Sequence, residues 1–488
     1  MTSITIVLLI IFAFTFVPLV IAEFARTEAL PTAEDFFLQG RSMSTLVSFF
    51  TVYATWVSSF AFMGSSGYFF SRGPVYLTAL AWNILFGILF MVVGKRLWIY
   101  GKTNKYITPT DFFNDMYGSR TLSILITLVM ILFTIPYLQI QLSAGAYLIE
   151  IASQGMIPWR ISGLVFYLVI IIYLWAGGLR AVAWADIFYG VLVFSGMLFC
   201  GFYLADKAGG IAYLFSTAHE GDSGRFVLGD TLSGSGAMLW LSMFITVPIG
   251  ALMGPQMWLR MFAVGKKRTF SIMPLLISFT AIEYLGAILS GSAAILLVPS
   301  ASAPDTVIPM MLVEYAPPVL AAILFCCIAA AALSTANAQI HAIAAIYAID
   351  VHKRYIDPGM SERKVVSAGK WAILVFSALA YLMLLKTPSL IIETGIIALG
   401  GTAQIIVPLA GAFFWGKSHP TGAIAGLLAG IATVLCATFL LQIDSSYGCL
   451  FGLGINIAIF VSVSMLMPQN NEVRARIINN RLIFSRDN

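Results

Sequence analysis

Long apolar runs separated by short polar breaks dominate the sequence, and this pattern leaves few folds open. A helix needs roughly 20 mainly apolar residues to cross a bilayer. Of the 488 residues 60% are hydrophobic and 10% are charged, against about 25% charged in an ordinary soluble domain. The apolar stock suffices for about a dozen spans and leaves little for a separate soluble domain. A soluble enzyme, a nucleic-acid-binding protein and a disordered scaffold are excluded on this ground. The reading is an all-α multi-pass membrane protein with thirteen spans, at 3–22, 44–70, 75–94, 121–150, 160–178, 183–205, 236–259, 270–298, 318–348, 366–385, 388–415, 420–441 and 447–467. Met1–Ala22 has no Lys or Arg ahead of its apolar stretch, so it is read as a retained first span rather than a signal peptide.

Charge sets the orientation. With the N-terminus outside and the spans alternating, 22 of the 27 Lys and Arg residues fall on inner segments and five on outer ones, Arg72, Arg160, Lys207, Arg225 and Lys386. That asymmetry satisfies the positive-inside rule. It puts the C-terminus in the cytoplasm and makes the net charge of +5 a matter of topology. The five cysteines lie in or beside apolar runs with no C-x-x-C pair, and are read as small apolar fillers.

Catalytic constellations are thin. Of the four His residues only His341 lies within a span, and there is no P-loop and no H-E-x-x-H. A single chain with this many spans and no soluble signalling domain is expected to be a carrier, not an enzyme. Carriers place their sites at interrupted helices near the midplane, and two stretches are anomalous in that sense. The first is Thr51 to Gly67, crowded with hydroxyls and small residues. It is either a helix opened near its centre, exposing carbonyls to a small cation, or a small-residue packing face. The second is Ala331 to Gln339, where Ala331, Ser334, Thr335 and Ala338 share one helical face. Its two hydroxyls either face an ion or bond back to their own helix.

Acids within spans are few. Asp186 opens the sixth span, Glu283 lies deep in the eighth and Glu393 is near the start of the eleventh. An ionisable group at bilayer depth is a functional candidate, which singles out Asp186 and Glu283. Asp186 and Glu393 are also close enough to span ends to be interfacial. Gly422, Gly426 and Gly430 form a helix-packing repeat.

Four stretches together resemble the sodium/solute symporter family over nearly the full length: Phe36 to Ser42, Ser58 to Gly67, Gly177 to Asp186, and Ala331 to Gln339. Pro304 to Pro309, with the Ser334–Gln339 stretch, is similar to the pantothenate and monocarboxylate members. The resemblance implies a leucine-transporter-like core of five plus five helices in inverted repeat. Residues 1–43 are then an extra helix and loop, 44–205 the first repeat, 236–415 the second, 420–467 peripheral helices and 468–488 a cytoplasmic tail. It also implies a Na⁺ site made by the carbonyls of Ala54, Val57 and Ala331 and the hydroxyls of Ser334 and Thr335. Five neutral oxygens suit a small monovalent ion better than Ca²⁺, which prefers carboxylates. Some members hold a second Na⁺ with the acid matching Asp186. The hydroxyls expected beside it are Asn337 and Ala338 here, so one Na⁺ per solute is favoured.

For the solute, the fold implied by the resemblance points to Trp56, Ser58, Ser59 and Phe60 at the break, Tyr137 and Gln141 on the fourth span, and Phe244 on the seventh. No Lys or Arg lies deep in any assigned span, so a neutral or weakly anionic small solute fits best. The function expected is Na⁺-coupled symport of such a solute, monocarboxylate or pantothenate-like, by alternating access in a cell membrane. The expected partners are the solute, Na⁺ and the bilayer, with no organic cofactor and no nucleic acid, the chain acting as a monomer. Two rivals are proton-coupled symport in the same fold, with Asp186 or Glu283 as the carrier acid, and a non-transporting sensor or channel-like subunit.

Overall fold

The computed structural model describes residues 3–26, 32–221, 235–386, 391–468 and 470–486. Among these, all regular elements are helical. Eleven helical stretches are long and apolar enough to cross a membrane, and two shorter apolar helices, Thr45–Trp56 and Trp159–Ile172, stand beside them. The first half of the chain comprises α1 (Ser3–Arg26), α2 (Thr45–Trp56), α3 (Ser65–Arg72), α4 (Thr78–Leu89), α5 (Arg120–Ala152) and α6 (Trp159–Lys207). The second comprises α7 (Ser235–Met253), α8 (Pro255–Ala263), α9 (Arg268–Thr280), α10 (Tyr284–Leu297), α11 (Pro318–Ile346), α12 (Glu362–Lys386), α13 (Ile391–Ala403) and α14 (Ile406–Phe414). Last come α15 (Pro420–Leu435), α16 (Ser445–Leu466) and α17 (Asn471–Arg486), the last of which makes the expected tail a helix.

Burial sorts these helices. Every residue of α11 from Leu324 to Ile346 is buried, which puts that helix at the centre. The Ile391–Phe414 stretch is also mostly enclosed, whereas α1, α12, α15 and α16 leave most of their apolar surface outward. Outward apolar surface is stable only against lipid or another apolar surface.

Local chemistry explains where helices stop. Ser44 caps α2 by accepting the Val47 N–H, satisfying one of the orphan donors of a helix start. α7 ends at Met253 because Pro255 disfavours a helical Gly254, which is extended at φ −60°, ψ 139°. The fifth and sixth assigned spans meet at Gly178, where φ 56° and ψ −156° are not helical and divide α6 into two helical segments. That left-handed φ favours glycine, and a Cβ there would also strike Phe36 at 2.8 Å.

The Lys- and Arg-rich end is tied together by polar contacts. Arg354 pairs with Asp111 and lies 3.4 Å from Asp350, which accepts the Thr108 hydroxyl at 2.8 Å. Arg180 meets Asp35 at 2.9 Å, and Arg41 donates to the Tyr106 carbonyl at 2.6 Å. None of the described ion pairs uses Arg72, Arg160, Lys207 or Lys386.

Candidate functional site: a broken helix against α11

The second assigned span is interrupted where the sequence had suggested. α2 stops at Trp56, and Val57 turns out of helical geometry at φ −89°, ψ 99°. The Ser58 hydroxyl accepts the Phe60 N–H at 3.1 Å, a local side-chain bond that competes with helix continuation. The chain re-enters through a π-helical turn, Phe60–Gly64, that leads into α3.

The end of α2 abuts the middle of α11. The Ser334 hydroxyl donates to the Ala54 carbonyl at 2.8 Å and to the Ala331 carbonyl at 3.1 Å. The Thr335 hydroxyl reaches the Ala54 and Thr55 carbonyls, both at 3.3 Å. Four of the five candidate Na⁺ ligands therefore converge, fully buried. Val57 sits at the break itself, and its N–H is returned to Tyr53. The two sequence alternatives for α11 coexist, since Ser334 bonds back to its own helix and across to α2. The Thr55 carbonyl joins the cluster although the sequence reading omitted it. All the groups are neutral oxygens, and among the described residues no cluster of His, Cys, Asp or Glu could hold a metal. Such a set suits an alkali cation, with the carbonyl-rich C-terminus of α2 adding negative potential.

The solute candidates divide. The Ser59 N–H and hydroxyl both reach the Gln141 side-chain oxygen, at 3.2 and 2.8 Å. Ser58 lies 3.4 Å from the Tyr137 hydroxyl. Phe60 packs at ring distances of 6.1 Å from Trp82 and 6.5 Å from Tyr137. Trp56 turns its indole N–H to Asn83 at 2.7 Å and stacks on Phe86. Phe244 stands apart, stacked on Trp240, and no described hydrogen bond or ring contact joins it to the others.

A second break, at Gly254 between α7 and α8, lies close by. A small cavity there is lined by Thr134 and Tyr137 of α5, by Gly254 and Gln256 of the break, and by Leu399 and Thr402 of α13. Gln256 is buried, and its side-chain oxygen has no hydrogen-bond partner. The sequence reading passed over this residue. The Gly-Pro pair inside an apolar run was the available signal.

Asp186 is fully buried within the protein. One oxygen accepts the Thr51 hydroxyl and the Arg260 guanidinium at 3.2 Å. Arg260 also donates to the Thr51 and Gln256 carbonyls, at 2.9 and 3.2 Å. Arg260, which the sequence reading set in the inner segment just past the seventh span, is 1% exposed on α8. A fully buried guanidinium is tolerable because carbonyls and a carboxylate satisfy it.

A bundle of membrane helices around broken elements, with a neutral oxygen cluster at one break, defines the ion-coupled secondary transporters. The substrate-bound, outward-open structure of a Na⁺-coupled sialic acid symporter superposes with a TM-score of 0.80, covering 95% of this chain and 98% of that one at 18% identity. The chain belongs to the sodium:solute symporter family, whose model matches residues 36–430. It is thus a membrane transporter of Na⁺-symporter type and not an enzyme. The sodium/pantothenate symporter of Haemophilus influenzae is 25% identical over 445 residues, 88% of this chain and 89% of that protein. The monocarboxylate transport permease protein of Rhizobium johnstonii is 24% identical over 497 residues, 96% and 98% of the two chains.

Proposed function

We propose that this protein carries a small organic solute, monocarboxylate or pantothenate-like, into the cell together with one Na⁺ by alternating access. The observation that carries the reading is the contact between residues 280 positions apart, the Ser334 hydroxyl and the Ala54 carbonyl. Na⁺ binds among the Ala54, Val57 and Ala331 carbonyls and the Ser334 and Thr335 hydroxyls, and so joins the end of α2 to α11. The solute binds beside the break, against Trp56, Ser58, Ser59, Phe60, Tyr137 and Gln141. The similarity to pantothenate and monocarboxylate carriers supports the solute class.

A single coupling ion is favoured because Arg260 already supplies Asp186 with a cation. The chain crosses the membrane thirteen times, N-terminus outside and C-terminus in the cytoplasm, with residues 44–205 and 236–415 as the inverted repeats and the rest peripheral. Sodium entering from outside favours the outward-open form and raises solute affinity, because binding to one state shifts the population toward it. One charge moved through 100 mV contributes about 2.3 kcal/mol, and each tenfold sodium gradient about 1.4 kcal/mol. Together these support accumulation of a neutral solute by a few hundredfold.

The test is uptake into proteoliposomes of purified protein, with pyruvate, acetate, pantothenate and proline as labelled solutes. An inward Na⁺ gradient should drive concentrative uptake of at least one of them, and replacing Na⁺ by choline should stop it. Equal uptake with and without the gradient would refute the coupling.

A further inference from the structure

Glu283 has no place in the transport scheme above, and its surroundings are unusual. It is fully buried in the 3₁₀ turn Ala281–Glu283 between α9 and α10. One carboxyl oxygen is bonded to the Tyr53 hydroxyl. The other has no hydrogen-bond partner, and among the described residues no cation pairs with it.

The helices around it supply no charge. The turn packs on α4, α6, α9 and α10, with Tyr53 reaching it from α2. Neither α2 nor α4 contains a charged residue, α6 has none between Asp186 and Asp206, and α9 and α10 have only Arg268, at the far end of α9, besides Glu283 itself. The uncharged titratable groups that these helices offer along this stretch are Tyr53, Tyr284, Tyr189, Cys200 and Tyr203, all neutral in ordinary conditions. Asp186 on α6 is engaged by Arg260. A carboxyl group so placed has neither solvent nor an opposite charge to engage its second oxygen.

Its link to the ion site runs through the last turn of α2. Tyr53 and Trp56, three residues apart on one helical face, reach the α4/α9 side. Tyr53 bonds Glu283, and Trp56 bonds Asn83, which donates to the Thr280 hydroxyl at 2.9 Å. Ala54 and Thr55 of the same turn point their carbonyls at Ser334 and Thr335. One helical turn is thus held between the oxygen cluster on α11 and a buried acid at the kink of α9 and α10.

We propose that Glu283 is a proton-binding site, distinct from the Na⁺ site, whose proton and the coupling Na⁺ are bound in opposition through the last turn of α2. The proposal rests on the Na⁺ reading of the Ala54–Ser334 cluster. The balance is simple: Na⁺ arrives at the α2 carbonyls, the Glu283 O–H bond breaks, and the proton leaves to water. A positive charge at the Ala54 carbonyl, next in sequence to the tyrosine that bonds Glu283, favours the carboxylate. By reciprocity the carboxylate favours Na⁺ and the acid form weakens it. Acidification therefore raises the Na⁺ concentration needed for uptake.

Two measurements test this. In proteoliposomes, the half-saturating Na⁺ concentration for solute uptake should rise severalfold, up to about tenfold, from alkaline to mildly acid pH. Glu283→Gln keeps an oxygen acceptor for Tyr53 but removes the proton site. It should show no pH dependence, with the half-saturating Na⁺ fixed near the wild-type value at acid pH. Independently of any variant, adding NaCl to the purified wild-type protein in weakly buffered solution should release protons, read by a pH-sensitive dye, while choline chloride should not. Na⁺-driven uptake with a pH-flat Na⁺ requirement and no proton release would overturn this proposal and leave the Na⁺ reading standing. Retained pH dependence in Glu283→Gln would also overturn it. Absence of any Na⁺-driven uptake would instead sink the underlying reading.

Discussion

The two helix breaks stand close together in the bundle and present opposite helix ends. At the first, α2 ends, and the carbonyls of Ala54 and Thr55 face two hydroxyls of α11. At the second, α8 begins after Gly254, and Gln256 in its first turn lines a small cavity shared with α5 and α13. A helix C-terminus offers oxygens and negative potential, and a helix N-terminus offers N–H groups and positive potential. On the proposed repeat division each break lies in the opening helix of its repeat. The comparison teaches that one structural device, used twice, presents carbonyl oxygens at one break and a buried glutamine beside a helix N-terminus at the other.

The sharpest way to break this contrast is to wedge the second break. α7 meets α13 backbone to backbone, with Gly250 against the Leu399 carbonyl and the Thr402 hydroxyl donating to the Gly250 carbonyl at 2.9 Å. A Gly250→Val side chain would be forced onto that main chain, and solute uptake should fall about tenfold or more, assayed at equal amounts of reconstituted protein. Undiminished uptake would show that the α7–α13 contact is not needed. Gln256→Ala comes next. Loss of one hydrogen-bonding side chain should raise the KM for solute by roughly twofold to tenfold, while the half-saturating Na⁺ concentration changes less. A larger effect on Na⁺ than on solute would reverse the roles given to the two breaks.

Smallest should be the effect of Arg354→Ala at the basic end. Arg354 and Asp111 are partly exposed while Asp350 is buried, and loss of the guanidinium should alter transport by about twofold to fivefold. It should also favour the form open on that side, read as faster labelling of a cysteine introduced at Thr108. Unchanged labelling would remove these contacts from any gating role.

The span pattern was legible because membrane crossing imposes length and apolarity on the sequence itself. The first break could be suspected because hydroxyls crowd Thr51 to Gly67, and the α11 face because Ser334 and Thr335 sit together among alanines. Their contact across 280 residues follows from tertiary packing, and only the family resemblance had suggested it. The burial of Arg260, one residue past the assigned end of the seventh span, was not anticipated. The residues flanking it, Trp258-Leu259 and Met261-Phe262, carried the missed sign that the segment stays buried. The boundary set between the fifth and sixth spans at residue 178 coincides with the non-helical Gly178. Glu283 was singled out by depth alone, and its Tyr53 partner was invisible until α2 and the α9–α10 kink were brought together.

Binding of radioactive sodium to the purified protein, without solute, addresses the first break most directly. Wild-type protein should bind Na⁺ saturably. The double substitution Ser334→Ala with Thr335→Ala should weaken that binding by about tenfold or more, with the helical circular dichroism spectrum and monodispersity unchanged. Equal Na⁺ affinity in the folded double variant would place the ion elsewhere and remove the foundation of the coupling scheme.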